Sequence, residues 1–192
     1  LESFAPVVGY PHGNGQRVET HLPGKHNFEN IAAALCVGKH FGVPGAEANA
    51  AVAGYVSENN RSQTVRRGSN TVLLDAYNAN PTSMQASLEY FAALDVPNKV
   101  VILGDMAELG PDGPDEHRRI GEVAAAGRFA KVLLCGPLMQ NAVAANPLAY
   151  YFIDKFSLQN WMSDNRLENA HILIKGSRSM AMETVAELLG SG

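Results

Sequence analysis

Between residues 71 and 174, four short runs of apolar and β-branched residues (71–74, 100–103, 132–135 and 172–174) are separated by stretches whose apolar positions recur every three or four residues. The runs predict strands, the intervening stretches predict helices, and their alternation predicts a parallel α/β sheet. The helices have readable faces. Asn80 and Pro81 supply an N-cap and a first-position proline ahead of apolar Met84, Leu88 and Phe91. Ile120, Val123 and Ala124 make a second stripe ending at Gly127, Leu158, Trp161 and Met162 a third, and Met182, Val185 and Leu189 a last. All of them read as core faces.

The first sixty residues are patterned differently. Residues 6–10 look strand-like, and residues 17–22 alternate polar and apolar positions as a half-buried strand does, with Pro23 and Gly24 ending it. Asn27 is placed to cap a helix carrying Phe28, Ile31, Ala32 and Leu35, and Gly42 stands where its C-terminal cap belongs. An alanine-rich second helix is expected over residues 46–56. Residues 57–60, Ser-Glu-Asn-Asn, are polar and aperiodic and read as an interdomain linker. The chain opens on Leu1 directly before a strand-like segment, so it is expected to be a piece of something longer.

Composition narrows the classes. With 192 residues, 46% hydrophobic, 18% charged and a net charge of -4, the chain suits one medium domain or a small one joined to an average one, and it carries no basic footprint for nucleic acid. No apolar run approaches a membrane span, and residues 1–6 lack the basic start and apolar centre of a signal peptide. Cys36 and Cys135 each lie in an apolar run and read as buried thiols of a reducing compartment, which predicts a cytoplasmic protein.

Polar residues unsuited to a core collect after three of the predicted strands: Asp75-Ala76-Tyr77-Asn78-Ala79-Asn80-Pro81, Gly104-Asp105-Met106-Ala107-Glu108-Leu109-Gly110, and Lys175-Gly176-Ser177-Arg178. Ligands of an open parallel sheet sit beyond the carboxyl ends of its strands, so the three clusters describe a site. In the last, glycine and serine between strand and helix can aim backbone N–H groups at an anion, with Lys175 and Arg178 flanking them. A strand end with solvated cations is the alternative. Asp75 suits a ribose hydroxyl or a turn cap. Asp105, Glu108 and His117 match no compact metal-ligand spacing, and His12, His40 and His171 read as surface or satisfied residues. Residues 22–27 are not a phosphate loop, because Glu19 stands where its first glycine belongs and His26 replaces the serine or threonine. Any ATP chemistry must therefore take its phosphate grip from elsewhere.

Together with Pro23-Gly24-Lys25-His26-Asn27-Phe28-Glu29-Asn30, these three clusters resemble the Mur ligases, in order and over almost the whole chain after Pro6. The His-Asn-x-x-Asn element is common to that family. The other three resemble the branch that joins D-alanyl-D-alanine to UDP-N-acetylmuramoyl-tripeptide through an acyl phosphate. The resemblance implies a cytosolic enzyme of three domains, usually a monomer, that uses ATP and magnesium, with no nucleic acid or membrane partner. Residues 1–60 would be the end of its central ATP-binding domain, and residues 61–192 its C-terminal Rossmann-like domain. It implies His26, Asn27 and Asn30 at the adenine, Asp75 at the ribose and Arg61 reaching the nucleotide. Tyr77, Asn78, Asn80, Lys175, Ser177 and Arg178 would serve the dipeptide and the closed interface. No residue here is required as a nucleophile or general base, the magnesium ligands are expected outside the chain, and the chain by itself is expected to be inactive. Leu74 stands where the family often has a second acidic residue. The alternatives are a Mur-type ligase with another amino-acid acceptor, and a non-catalytic nucleotide- or carboxylate-binding α/β module.

Overall fold

The structure is a computed structural model that describes residues 10–11, 17–22, 25–57 and 60–190. It divides into two compact units, Leu1–Glu58 and Asn59–Gly192. Residues 6–9, His12, Pro23, Gly24, Glu58, Asn59 and the side chain of His26, all used in the sequence reading, lie outside what is described.

In the first unit β1 (Tyr10–Pro11) pairs antiparallel with β2 (Arg17–Val18), and two helices follow, α1 (Lys25–His40) and α2 (Gly45–Gly54). α1 begins two residues before Asn27, which therefore lies in the first turn and is not its cap. Its C-terminus behaves as expected: Gly42 takes φ +77, its N–H donates to Lys39 O at 3.1 Å, and the Val43 N–H reaches Gly38 O at 2.9 Å. That bond pair is a Schellman closure, which needs the left-handed residue glycine supplies. Val18 and Ile31 form a small buried nucleus with Leu22, Leu35, Val52 and Ala53 against it. α2 has no buried residue, and Cys36 is exposed, contrary to the expectation of a buried thiol. An apolar run marks burial only when something covers it.

The second unit is built on a six-stranded sheet. Its strands are β3 (Gln63–Arg67), β4 (Asn70–Asp75), β5 (Lys99–Gly104), β6 (Lys131–Cys135), β7 (Tyr150–Phe152) and β8 (His171–Lys175), ordered β3-β4-β8-β5-β6-β7. All neighbours run parallel except β3, which returns antiparallel along β4. The mostly parallel α/β sheet agrees with the reading of the four central strands. Helices α3 (Pro81–Ala93), α4 (Gly113–Ala126), α5 (Gln140–Val143) and α6 (Lys155–Asp164) connect the strands.

Side-chain alternation divides the core. Val72, Leu74, Val100, Ile102, Ile172 and Ile174 join Leu158, Met162, Met182, Val185 and Leu189 in one cluster, under α6 and the C-terminal segment. The intervening Leu73, Val101, Leu103 and Leu173 are equally buried and point to the other face. There α3 and α4 supply buried Met84, Leu88, Phe91, Ile120 and Ala124, and Phe91 stacks on Phe129 at 5.9 Å. The stripe at Met182, Val185 and Leu189 is buried as read, but Met182–Gly190 is 3₁₀ and not α-helical. α3 opens as the sequence predicts: Asn80 Oδ1 accepts the Ser83 N–H at 2.9 Å, Ser83 Oγ accepts the Asn80 N–H, and Pro81 follows.

Candidate functional site at the carboxyl ends of three neighbouring strands

Because β8 lies between β4 and β5, the three polar clusters open side by side. The register sets Asp75 opposite Lys175, and Lys175 opposite Leu103, one residue before Gly104. Gly104 and Gly176 are where these strands leave the sheet. A Cβ on either would come within 2.9 Å or less of Met182, so the glycine of the Lys-Gly-Ser-Arg element allows a close approach of side chain to backbone.

Lys175 is 2% exposed, and its ammonium is fully engaged. Nζ donates to Asp75 Oδ2 at 2.7 Å and to the Asn78 carbonyl at 3.1 Å, with the Asp75 carbonyl at 3.5 Å. Asp75, 14% exposed, also accepts from Ser87 Oγ at 2.7 Å and from the Ser62 N–H at 3.2 Å. Both charges of this buried pair are hydrogen-bonded on several sides, as a desolvated ion pair requires.

In the segment after β8, where an anion nest is expected, one of the N–H groups is already engaged. The Ser177 N–H donates to the Asp105 carbonyl at 2.9 Å, Ser177 is itself buried, and the segment that follows, Arg178–Met180, is a single 3₁₀ turn. Of the Lys-Gly-Ser-Arg element only Arg178 faces solvent, 62% exposed, with Nη1 on Glu183 Oε1 at 2.7 Å. The other edge of its guanidinium keeps donors for a second planar anion.

Arg61 and Tyr77 come together. The guanidinium carbon lies 3.7 Å from the centroid of the Tyr77 ring, and Tyr77 is partly exposed. Asn78 Oδ1 accepts the following Ala79 N–H at 2.8 Å, and Asn80 serves as the α3 cap described above. His26, Asn27 and Asn30 belong to the other unit, where Asn30 Nδ2 donates to Asn27 Oδ1 at 3.4 Å and Asn27 is buried.

The middle cluster is a brace. Asp105 Oδ1 accepts the Met139 N–H at 2.9 Å, and its carbonyl holds Ser177, so one residue ties the loop after β5 to those after β6 and β8. Burial pushes its carboxyl above the usual carboxylate range, against the Met139 and Leu138 N–H groups, which pull it down. Gly136 takes φ +119 beneath that carboxylate, where a Cβ would sit 2.5 Å from it. His117 is fully buried: Nε2 accepts the Met106 N–H at 3.0 Å, which leaves the proton on Nδ1 to reach Gly113 O at 2.7 Å. Both nitrogens thus hold backbone, and among the described residues no group of three or more His, Cys, Asp or Glu could bind a metal ion.

Sequence reasoning missed Ser62 and Ser87, the other partners of Asp75. Ser87 left a trace, since it is the one polar residue among the buried positions Met84, Ser87, Leu88 and Phe91 of α3.

Residues 60–178, the span from the start of this network to Arg178, match the family model "Mur ligase, glutamate ligase domain". The chain belongs to the Mur ligase family. Similarity extends on both sides of the matched span. The UDP-N-acetylmuramoyl-tripeptide--D-alanyl-D-alanine ligase of Treponema pallidum is 34% identical over 181 residues, which cover 91% of this chain and 39% of that protein. Among solved Mur ligase structures, MurF from Acinetobacter baumannii superposes with a TM-score of 0.80 at 25% identity, covering 92% of this chain and 40% of its own. The MurF ligase of Thermotoga maritima in complex with ADP shares the fold, with a TM-score of 0.76, 21% identity and coverage of 91% and 40%. The chain thus spans about two fifths of the length of the relatives it matches.

Proposed function

We propose that the chain is the C-terminal part of an ATP-dependent amide ligase that joins D-alanyl-D-alanine to UDP-N-acetylmuramoyl-tripeptide in peptidoglycan synthesis. In this reading residues 1–60 end the ATP-binding domain and residues 61–192 receive the acceptor. The observation that carries it is the exposed Arg178 that follows one strand and the Tyr77-Asn78 loop that follows its parallel neighbour, the two strand ends being tied by the buried Asp75–Lys175 pair.

Arg178 takes the dipeptide's carboxylate on the guanidinium edge that Glu183 leaves open, with Tyr77 and Asn78 beside it. Holding the carboxylate orients the amine toward the phosphate-activated carboxyl of the precursor, so a bimolecular attack becomes a positioned one. The chain contributes orientation and no nucleophile or general base. Lys175 and Ser177, counted with Arg178 from the sequence, are buried and support the loops from beneath. Asp75 Oδ1 accepts the Ser62 N–H at 3.2 Å and, with a second lone pair, suits a ribose hydroxyl as well. Arg61 serves the same nucleotide, with His26, Asn27 and Asn30 at its adenine. ATP supplies the phosphoryl group that activates the carboxyl. Its phosphate grip and the magnesium ligands belong outside these residues, so the 192 residues alone are inactive and bind ATP no tighter than about millimolar, near -4 kcal/mol. The ATP supply and two unpaired cysteines favour the cytoplasm.

The test is Arg178→Ala in the complete ligase. Losing a charge-assisted contact of about 1.5–3 kcal/mol raises KM for D-alanyl-D-alanine roughly ten- to a hundredfold and leaves KM for ATP within about twofold. Equal changes in the two KM values reject the assignment.

A further inference from the structure

We propose that Lys175 is a positioning residue, acting through Asp75 and Ser62 to fix the Arg61–Tyr77 stack, and does not touch the acceptor's carboxylate. Only the kinetic arm of the test below rests on the function proposed above.

An ammonium has three donors, and all three of Lys175's are turned inward, onto Asp75 Oδ2, the Asn78 carbonyl and, at 3.5 Å, the Asp75 carbonyl. Turning toward an outside anion would strip a largely buried carboxylate of its cation. What the pair holds is informative. Asn60 and Ser62 take φ +57 and +51, left-handed conformations that asparagine tolerates and serine adopts far less often. The contacts that hold them lead back to the loop that Lys175 grips. Ser62 N–H donates to Asp75 Oδ1 at 3.2 Å, Tyr77 N–H to the Asn60 carbonyl at 3.2 Å, and Asn60 N–H to Gln63 Oε1 at 3.4 Å. Arg61, between these two left-handed residues, is thereby presented over the Tyr77 ring at 3.7 Å. Lys175 holds the same loop a second time, through the Asn78 carbonyl. One buried cation thus fixes both Arg61 and Tyr77, the residues that in the proposed function serve the nucleotide and the acceptor.

Amide hydrogen exchange on the 192-residue chain tests this directly. In Lys175→Met the Ser62 and Tyr77 amides exchange at least about tenfold faster, the equivalent of one lost hydrogen bond, while β5 and β6 amides stay protected. Asp75→Asn does the same. The double variant adds nothing further, because both act through one contact. Arg178→Ala leaves these two amides unchanged. Unchanged protection at Ser62 and Tyr77 in a folded Lys175→Met chain overturns the proposal. If Lys175→Met unfolds, Asp75→Asn decides by the same criterion. In the complete ligase, Lys175→Met and Asp75→Asn raise KM for ATP by similar factors, a shift that loss of stability alone would not produce in the folded fraction. A rise confined to KM for the acceptor in Lys175→Met overturns the proposal too. If instead Arg178→Ala leaves the acceptor KM unchanged, the functional reading fails while the exchange result stands.

Discussion

The two units carry similar apolar sequence and use it very differently. In residues 60–190 strand and helix faces are closed on both sides of the sheet, and Phe91, Leu88, Met84 and Ile102 are excluded from water. In the described part of residues 1–58 only Val18 and Ile31 are buried hydrophobics, while Phe41 is 77% exposed and Val37, Tyr55 and Val56 are exposed with it. The helices there are well formed and well terminated, so local signals suffice to shape them. A core needs a second layer, and the described residues supply that layer in the second unit alone. The second unit closes its own core and carries the candidate site, whereas the described residues of the first leave much of their apolar surface open.

The largest expected contrast lies in the cysteines. Burial, with Asp105 and Asp154 adding to it, pushes the Cys135 thiol up to about 12, whereas Cys36 is exposed. Against its ordinary value of 9.0, the thiolate fraction of Cys135 at neutral pH falls by roughly a thousandfold. A thiol reagent therefore labels Cys36 at once and Cys135 only when the second unit unfolds. Comparable labelling rates for both in native protein would break the comparison.

Two phenylalanines sharpen it next. Phe91→Ala should destabilise the second unit by about 3–5 kcal/mol, and Phe41→Ala should change stability by less than about 0.5 kcal/mol in denaturant melts. Similar losses at both would mean that Phe41 is covered after all.

A smaller effect is expected at Gly121, on the buried face of α4. A Cβ there would stand 2.4 Å from the Ala142 carbonyl oxygen of α5, so Gly121→Ala should cost about 1–3 kcal/mol by forcing the helices apart. In the first unit, Gly45→Ala and Gly54→Ala meet open space and should be close to neutral. A neutral Gly121→Ala would show that α4 and α5 are packed less closely than described.

The smallest is a pH effect confined to the second unit. The Asp105 carboxyl titrates higher folded than unfolded, so between the two values the folded state binds more protons and stability falls as pH rises; the cost is complete above the folded value. Asp105→Asn should flatten that slope in urea melts taken from the ordinary carboxylate range upward. A slope unchanged by the substitution would remove Asp105 as its source.

The same contrast explains what the sequence could convey. The four central strands were legible because each is an apolar run buried on both faces, and α3 because Asn80 and Pro81 punctuate its start. The edge strands were not: β3 is Gln-Thr-Val-Arg-Arg, half solvated, and β7 is three residues long. The polar loops of the candidate site were legible as a cluster at the strand ends, since polar residues there have few structural reasons to gather. Their division of labour was not. A lysine ending a strand reads the same whether it faces a ligand or a neighbour's carboxylate. The register that sets Asp75 beside Lys175, and with it their ion pair, is visible only in the fold. Cys36 and Asn27 were misread for a related reason, because exposure and capping depend on where adjacent chain runs.

The most direct test of the account is an acceptor panel. In the complete ligase carrying these 192 residues, amide formation on UDP-N-acetylmuramoyl-tripeptide should be measured with D-alanyl-D-alanine, D-glutamate, L-lysine and diaminopimelate. The account predicts turnover with D-alanyl-D-alanine, at a kcat/KM far above the others, and its loss in Arg178→Ala through KM for the dipeptide. Preference for a single amino acid, glutamate above all, would contradict it.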